Sequence, residues 1–128
     1  MADAVLLAVN GTLMRGLELN GNLLQAGARF VREASTAPEY RLYTIGDRHP
    51  AMLRTEAGGA AIALELWEVP AGGLAAILQA EPAGLCIGKV TLADGTEVLG
   101  VLGEAWLCAG APEITAHGGW RAYRAAAR

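Results

Sequence analysis

The sequence predicts an α+β domain whose sheet is mixed or curls into a small barrel. Three observations carry this. Strand-like apolar runs outnumber helical ones, and most are joined by short, hairpin-like connections. Asp94-Gly95, the strongest hairpin signal in the chain, separates two such runs at 86–93 and 96–103. Only two or three segments carry helical spacing, the clearest of them following Pro70.

The elements follow in order. Val5-Leu6-Leu7-Ala8-Val9 is an apolar run of strand length that stops at Asn10-Gly11-Thr12-Leu13. Asn20 is placed to N-cap a short helix over 21–26, which Gly27 ends. Residues 28–34 read as a strand with Arg29, Val31 and Glu33 on one face. Pro38 breaks it, and Tyr40-Arg41-Leu42-Tyr43-Thr44-Ile45 is the next strand, turned by Gly46 and Asp47. A weaker strand covers 50–55. Gly58-Gly59 marks a turn before the longest strand, 60–69, in which Ile62, Leu64, Leu66 and Glu68 share one face and Glu65 and Trp67 the other.

Pro70 suits the first position of a helix reaching Gln79, with Leu74, Ile77 and Leu78 as its apolar stripe and Pro82 and Gly84 at its end. Beyond the hairpin, 105–108 continues the second strand after a bend at Glu104. The tail, 118–128, reads as a helix that turns Trp120 and Tyr123 toward the body.

The length, 128 residues, fits one domain spanning 1–128 and suffices for a core without metal or disulfide support. Much of the 53% hydrophobic share is Ala, so the core is expected to be tight. No apolar run approaches the ~20 residues of a membrane span. No leader segment is visible, since the first apolar run is short and follows Asp3. The expectation is a cytoplasmic chain with no membrane partner. A net charge of −3, with nine Arg and Lys89 scattered along the chain, speaks against nucleic acid. Cys86 and Cys108 read as buried free thiols, and His49 and His117 stand alone, so neither a metal nor another cofactor is expected.

Several chemistries are excluded. Ser35 is the only serine, which removes the nucleophile elbow and any serine-pair arrangement. No phosphate-binding loop or dinucleotide fingerprint is present among the 17 glycines. What remains is acid–base chemistry and binding.

Four features fit that remainder. A buried strand ending in Asn10-Gly11-Thr12-Leu13 offers backbone N–H groups to a carboxylate or oxyanion, and Gly11 removes a side chain that would keep a ligand away. The same dipeptide is also the commonest turn. Glu81, at a helix end beside Pro82, is placed to have a raised pKa and to shuttle a proton; it also fits a solvated loop acid. Glu104 is a second acid of this kind. Arg41, beside Tyr40 and Tyr43, is placed to bind a carboxylate, with Tyr43 orienting it, or to sit on the surface of its strand. Trp67 and Trp106 read as core or cleft wall.

Several segments together resemble the C-terminal domain of allophanate hydrolase. They are Gly27-Ala28-Arg29-Phe30-Val31-Arg32, Thr36-Ala37-Pro38-Glu39-Tyr40-Arg41-Leu42-Tyr43 and Glu65-Leu66-Trp67. Further on come Ile87-Gly88-Lys89-Val90, Leu92-Ala93-Asp94-Gly95, Gly100 to Glu104, Ile114-Thr115-Ala116 and Gly118-Gly119-Trp120-Arg121-Ala122-Tyr123. They cover nearly the whole chain in order.

The resemblance implies a gamma-glutamylcyclotransferase-like fold, a small mixed β-barrel with flanking helices. In that superfamily a Tyr-Gly-Ser-Leu-type loop after the first strand grips substrate by its amides. Asn10-Gly11-Thr12-Leu13 resembles it, with Asn10 in place of the tyrosine, and Glu81 resembles the cyclotransferase glutamate. The family's Gly-Ala-His-Leu stands here as Gly11-Thr12-Leu13-Met14, its Lys-Pro-Gly as His49-Pro50-Ala51 and its Ile-Pro as Glu81-Pro82.

The implied function is an enzyme of urea or amide nitrogen metabolism. Its substrate would be a small carboxylate-bearing ureido or amide compound, handled by decarboxylation or hydrolysis. Two alternatives stay open: a non-catalytic accessory partner of a separate amidase, and gamma-glutamylcyclotransferase-type cyclisation. The oligomeric state is open, a homodimer included.

Overall fold

The computed structural model describes residues 3–127. The chain runs β1 (Ala4–Val9), α1 (Asn20–Gln25), β2 (Arg29–Ser35), β3 (Tyr40–Ile45), β4 (His49–Arg54), β5 (Ala63–Pro70) and α2 (Ala71–Ala80). It continues through β6 (Leu85–Thr91), β7 (Glu97–Gly103), α3 (Ala105–Cys108), a 3-10 turn (Thr115–His117) and α4 (Trp120–Ala126).

Five strands form one sheet in the order β2-β5-β1-β7-β6, and β3 and β4 form a separate two-stranded ribbon. β1 lies in the middle, antiparallel to β5 and parallel to β7. The sheet is therefore mixed but mostly antiparallel, which makes this an α+β domain. It does not close as a barrel. Its two edge strands meet only at their ends, where Thr36 bridges Leu92 and the Ala37 N–H donates to Thr91 O at 2.9 Å. The barrel implied by the family resemblance is thus reduced to a curved sheet with one stitched corner.

Why β1 is central follows from its side chains. Leu7, Ala8 and Val9 are each at most 1% exposed, so both faces of the strand are covered. Leu7 lies opposite Trp67 of β5 and Leu99 of β7. Ala8 lies opposite Gly100, where an added Cβ would meet Val90 at 2.5 Å and Ala8 at 3.3 Å. Glycine at position 100 makes room for the Val90 and Ala8 side chains of the two flanking strands. Tyr40, Leu42, Met52, Ile62 and Ile77 complete the buried interior.

The hairpin at Asp94-Gly95 forms as expected. β6 and β7 pair in register from Leu85↔Gly103 to Thr91↔Glu97, and Gly95 takes a positive φ of 89° that suits glycine. Gly27, at φ 81°, ends the first helical segment as expected.

Three local readings are corrected. Residues 105–108 form a short helix, because Glu104 caps it in an extended conformation and its carbonyl accepts the N–H groups of Leu107 and Cys108. Asn20 opens α1 as its first residue, and its side chain donates back to Leu13 O at 2.8 Å instead of capping the helix. Pro70 ends β5 and precedes α2, which begins at Ala71. The tail helix covers Trp120–Ala126, and Arg128, the far end of its expected span, lies outside the described residues.

Cys86 and Cys108 are free thiols. Among the described residues no helix is long and apolar enough to cross a membrane.

Candidate functional site

The loop after β1 is buried from Asn10 to Met14. It turns on itself, with the Met14 N–H donating to Gly11 O at 3.0 Å and the Leu19 N–H to Thr12 O at 3.0 Å. The Asn10 side chain donates to Val101 O at 3.0 Å, tying the end of β1 to β7. Gly11 has a different reason than the expected one. The place its Cβ would occupy is filled by the Pro50 ring, 2.5 Å from Cδ. The missing side chain lets β4 pack on the loop and does not clear a path for a ligand.

The backbone N–H groups of Gly11, Thr12 and Leu13 donate to no described residue. All three residues line a small hollow together with Asn10, His49, Pro50, Leu85, Val101 and Glu81. The hollow has a volume of ≈ 10 Å³, room for about one water-sized group.

Glu81 caps the C-terminal end of α2, where its own N–H donates to Leu78 O. Its Oε2 is buried without a hydrogen-bond partner. Burial disfavours the charged carboxylate and pushes its pKa up from 4.5 to about 7. The direction is the one expected from the sequence, with desolvation as the cause. Glu81 and residues 10–13 thus line one hollow.

Arg41 and Tyr43 are not brought there. Arg41 donates to Ala57 O at 2.7 Å and faces Glu113 at 3.6 Å, so it braces the 55–59 loop against the segment that precedes the 3-10 turn. Tyr43 lies opposite Ala51 on β4 and bridges Glu113. Neither lines the hollow or the larger cleft beside it. Glu104 is exposed and accepts from the Trp106 indole at 3.1 Å. Trp67 is buried as core, whereas Trp106, expected in core or cleft wall, is 62% exposed.

Two features escaped the sequence reading. His49 is buried, and its Nδ1 lies 3.0 Å from Pro50 O. A carbonyl only accepts, so Nδ1 carries the proton in that bond. His49 and Thr12 line both the hollow and a cleft of ≈ 830 Å³ walled by Leu17, Leu19, Pro82 and α4. The second feature is Glu65, 1% exposed. Its carboxylate accepts the Arg15 N–H and the Trp67 indole on Oε1, and Arg15 Nε and Arg121 Nη2 on Oε2, each at 3.0–3.1 Å. Burial works against this charge, but the four donors outweigh it and hold the carboxyl below its ordinary range. The only hint in the sequence is the pairing of Glu65 with Trp67 on one strand face.

Among the described residues no group of three His, Cys, Asp or Glu side chains gathers to hold a metal ion.

The model of the allophanate hydrolase C-terminal domain matches residues 5–125. The urea amidolyase of Saccharomyces cerevisiae is 30% identical over 129 residues, covering 95% of this chain; the chain spans 7% of that relative's length. A uropathogenic E. coli-specific protein superposes with a TM-score of 0.95 at 57% identity, over 96% of this chain and 97% of its own. Allophanate hydrolase of Kluyveromyces lactis superposes at 0.91 with 29% identity, over 98% of this chain and 22% of its own. At the level of fold alone, the likeness extends to an aig2-like protein of Mus musculus, TM-score 0.62 and 18% identity, over 80% of this chain and 77% of its own.

Proposed function

The chain belongs to the allophanate hydrolase C-terminal domain family, and from that membership we propose that it acts on a small carboxylate-bearing ureido or amide compound. The reacting carboxyl or carbonyl oxygen enters the hollow after β1, the amides of Gly11, Thr12 and Leu13 hold it, and Glu81 moves one proton. The relatives named for urea amidolyase and allophanate hydrolase supply the substrate class.

One observation carries this reading: Glu81, whose Oε2 is buried without a partner, shares a hollow with three residues whose backbone N–H groups donate to no described residue. Amides of that kind favour an anion, and a carboxyl with a pKa of about 7 is half protonated at neutral pH. An acid so poised gives or takes a proton with little cost. Fixed donors at the oxygen where charge develops are worth about 3–4 kcal/mol of barrier in acyl chemistry. Hydrolysis of an amide by water needs both elements. Decarboxylation of a carboxylated urea needs the proton, delivered to the nitrogen that takes the electron pair of the C–N bond as CO2 leaves, and there the amides only position the carboxyl group.

The test is the pH dependence of carboxylate binding. A charged Glu81 repels a second carboxylate in the same hollow, so affinity for a small monocarboxylate should fall above about pH 7 in the native protein. In Glu81→Gln that fall should vanish. An identical pH profile in the two proteins would overturn the assignment of Glu81.

A further inference from the structure

The hollow admits one water-sized group, so the rest of any ligand lies outside it. The ≈ 830 Å³ cleft borders it, since Thr12 and His49 line both. What that cleft selects for follows from how the arginines are spent. Arg15, Arg29, Arg41, Arg54 and Arg121 all pair with carboxylates, and Arg32 donates to Glu33 O. Among the described residues Arg48 and Arg124 are the two whose guanidinium groups do neither, and both line this cleft.

Their placement is held by other bonds. Arg48 follows Asp47, whose left-handed backbone (φ 57°) turns the chain between β3 and β4. Thr44 donates to the Asp47 carboxylate at 2.9 Å, and the Tyr123 hydroxyl donates to the same oxygen. That second bond ties α4 to the turn. Arg124 lies over the Trp120 ring, 5.6 Å from its centroid. The two cations therefore belong to elements pinned together across the cleft. Two acids also line it. Asp47 already accepts from Tyr123 and Thr44, and Glu18 is exposed. Leu17, Leu19 and Pro82 give an apolar floor.

We propose that this cleft is a second subsite that binds a distal anionic group of the ligand through Arg48 and Arg124, its carbon chain lying on Leu17, Leu19 and Pro82. The ligand class is a compound with a carboxyl-derived group at each end: one end reacts in the hollow, and the other is a carboxylate held in the cleft. This rests on the reading of the hollow given above. It adds a specificity pair, Arg48 and Arg124, that takes no part in the proton transfer.

The experiment is a titration of the whole chain, labelled with ¹⁵N, with succinate, glutarate and adipate, and with butyrate as the monoanion. Backbone signals of Gly11, Thr12 and Leu13 report the hollow, and the Nε–H signals of Arg48 and Arg124 report the cleft. At least one dicarboxylate should move both sets of signals and bind roughly tenfold tighter than butyrate. In Arg48→Ala/Arg124→Ala that preference should fall to within about twofold, with butyrate affinity unchanged. Arg48→Lys/Arg124→Lys should restore part of it, since charge is kept while the planar fork is lost.

Dicarboxylates that move the Gly11–Leu13 signals but not the arginine signals overturn the subsite and leave the hollow standing. Arginine shifts without loop shifts overturn the hollow and leave an anion site in the cleft. Silence in both sets, or a preference that survives in the double Ala variant, overturns the subsite.

Discussion

Two glutamates of this chain, buried Glu65 and half-buried Glu81, make opposite use of burial. Glu65 is closed in by four donors from Arg15, Trp67 and Arg121, and its charge is stabilised in the fold. Glu81 has no donor for its buried oxygen, and its pKa rises to about 7. Desolvation acts on both. The number of donors decides which acid keeps its charge and which has its pKa raised.

The largest effect that can break this comparison is expected at Glu65. Replacing it by Ala leaves Arg15 and Arg121 without their shared anion and the Trp67 N–H without an acceptor. Denaturant unfolding at neutral pH should show a loss of about 3 kcal/mol, since the two arginines left behind are nearly half exposed and can be solvated. A loss below about 1 kcal/mol would mean that the cluster is not a strut.

Glu81 should behave in the reverse sense. Its folded pKa, about 7, exceeds the ordinary 4.5, so the folded state binds the proton more tightly than the unfolded state does. The stability linked to that proton is fully present below pH 4.5 and is lost as pH rises through 7. Glu81→Gln should therefore be close to neutral at pH 4 and stabilising by about 2–3 kcal/mol at pH 8. Unfolding curves at the two pH values check it, and a destabilised variant at pH 8 would contradict it.

Gly11→Ala tests the packing that holds the hollow. The new methyl meets the Pro50 ring, which is fixed to the backbone and cannot swing away. A cost of about 1–3 kcal/mol in denaturant unfolding is expected. The smallest effect is at the rim. Tyr123→Phe removes the bond that does most to hold the Asp47 carboxyl below its ordinary value. Its titration midpoint, followed by NMR, should move up toward 3.8, with little change in stability.

How much of this was legible follows the same division. The Asp94-Gly95 hairpin, Tyr40–Ile45 and the strand of Leu7 and Val9 could be read because turn chemistry and alternation are local. The helix at Ala105–Cys108 could not: four residues carry too little periodicity to outweigh an apolar look. Glu81 was legible from its place beside Pro82. The state of Glu65 was not, because its donors come from positions 15 and 121 and only the fold brings them together. Arg41 misled for a related reason, since its partners, Ala57 and Glu113, lie in other elements. Arg48 and Arg124 went unnoticed because a surface arginine becomes informative only when the others are seen to be paired.

The most direct test of the central claim is the pKa of the Glu81 carboxyl, measured by ¹³C NMR of its side-chain carbon across pH 3–9. A midpoint near 7 is predicted, with Glu65 titrating below 4.5 in the same spectra. A Glu81 midpoint near 4.5 would contradict the account, because the carboxyl would then be solvated and charged at neutral pH and no more available for proton transfer than Glu65.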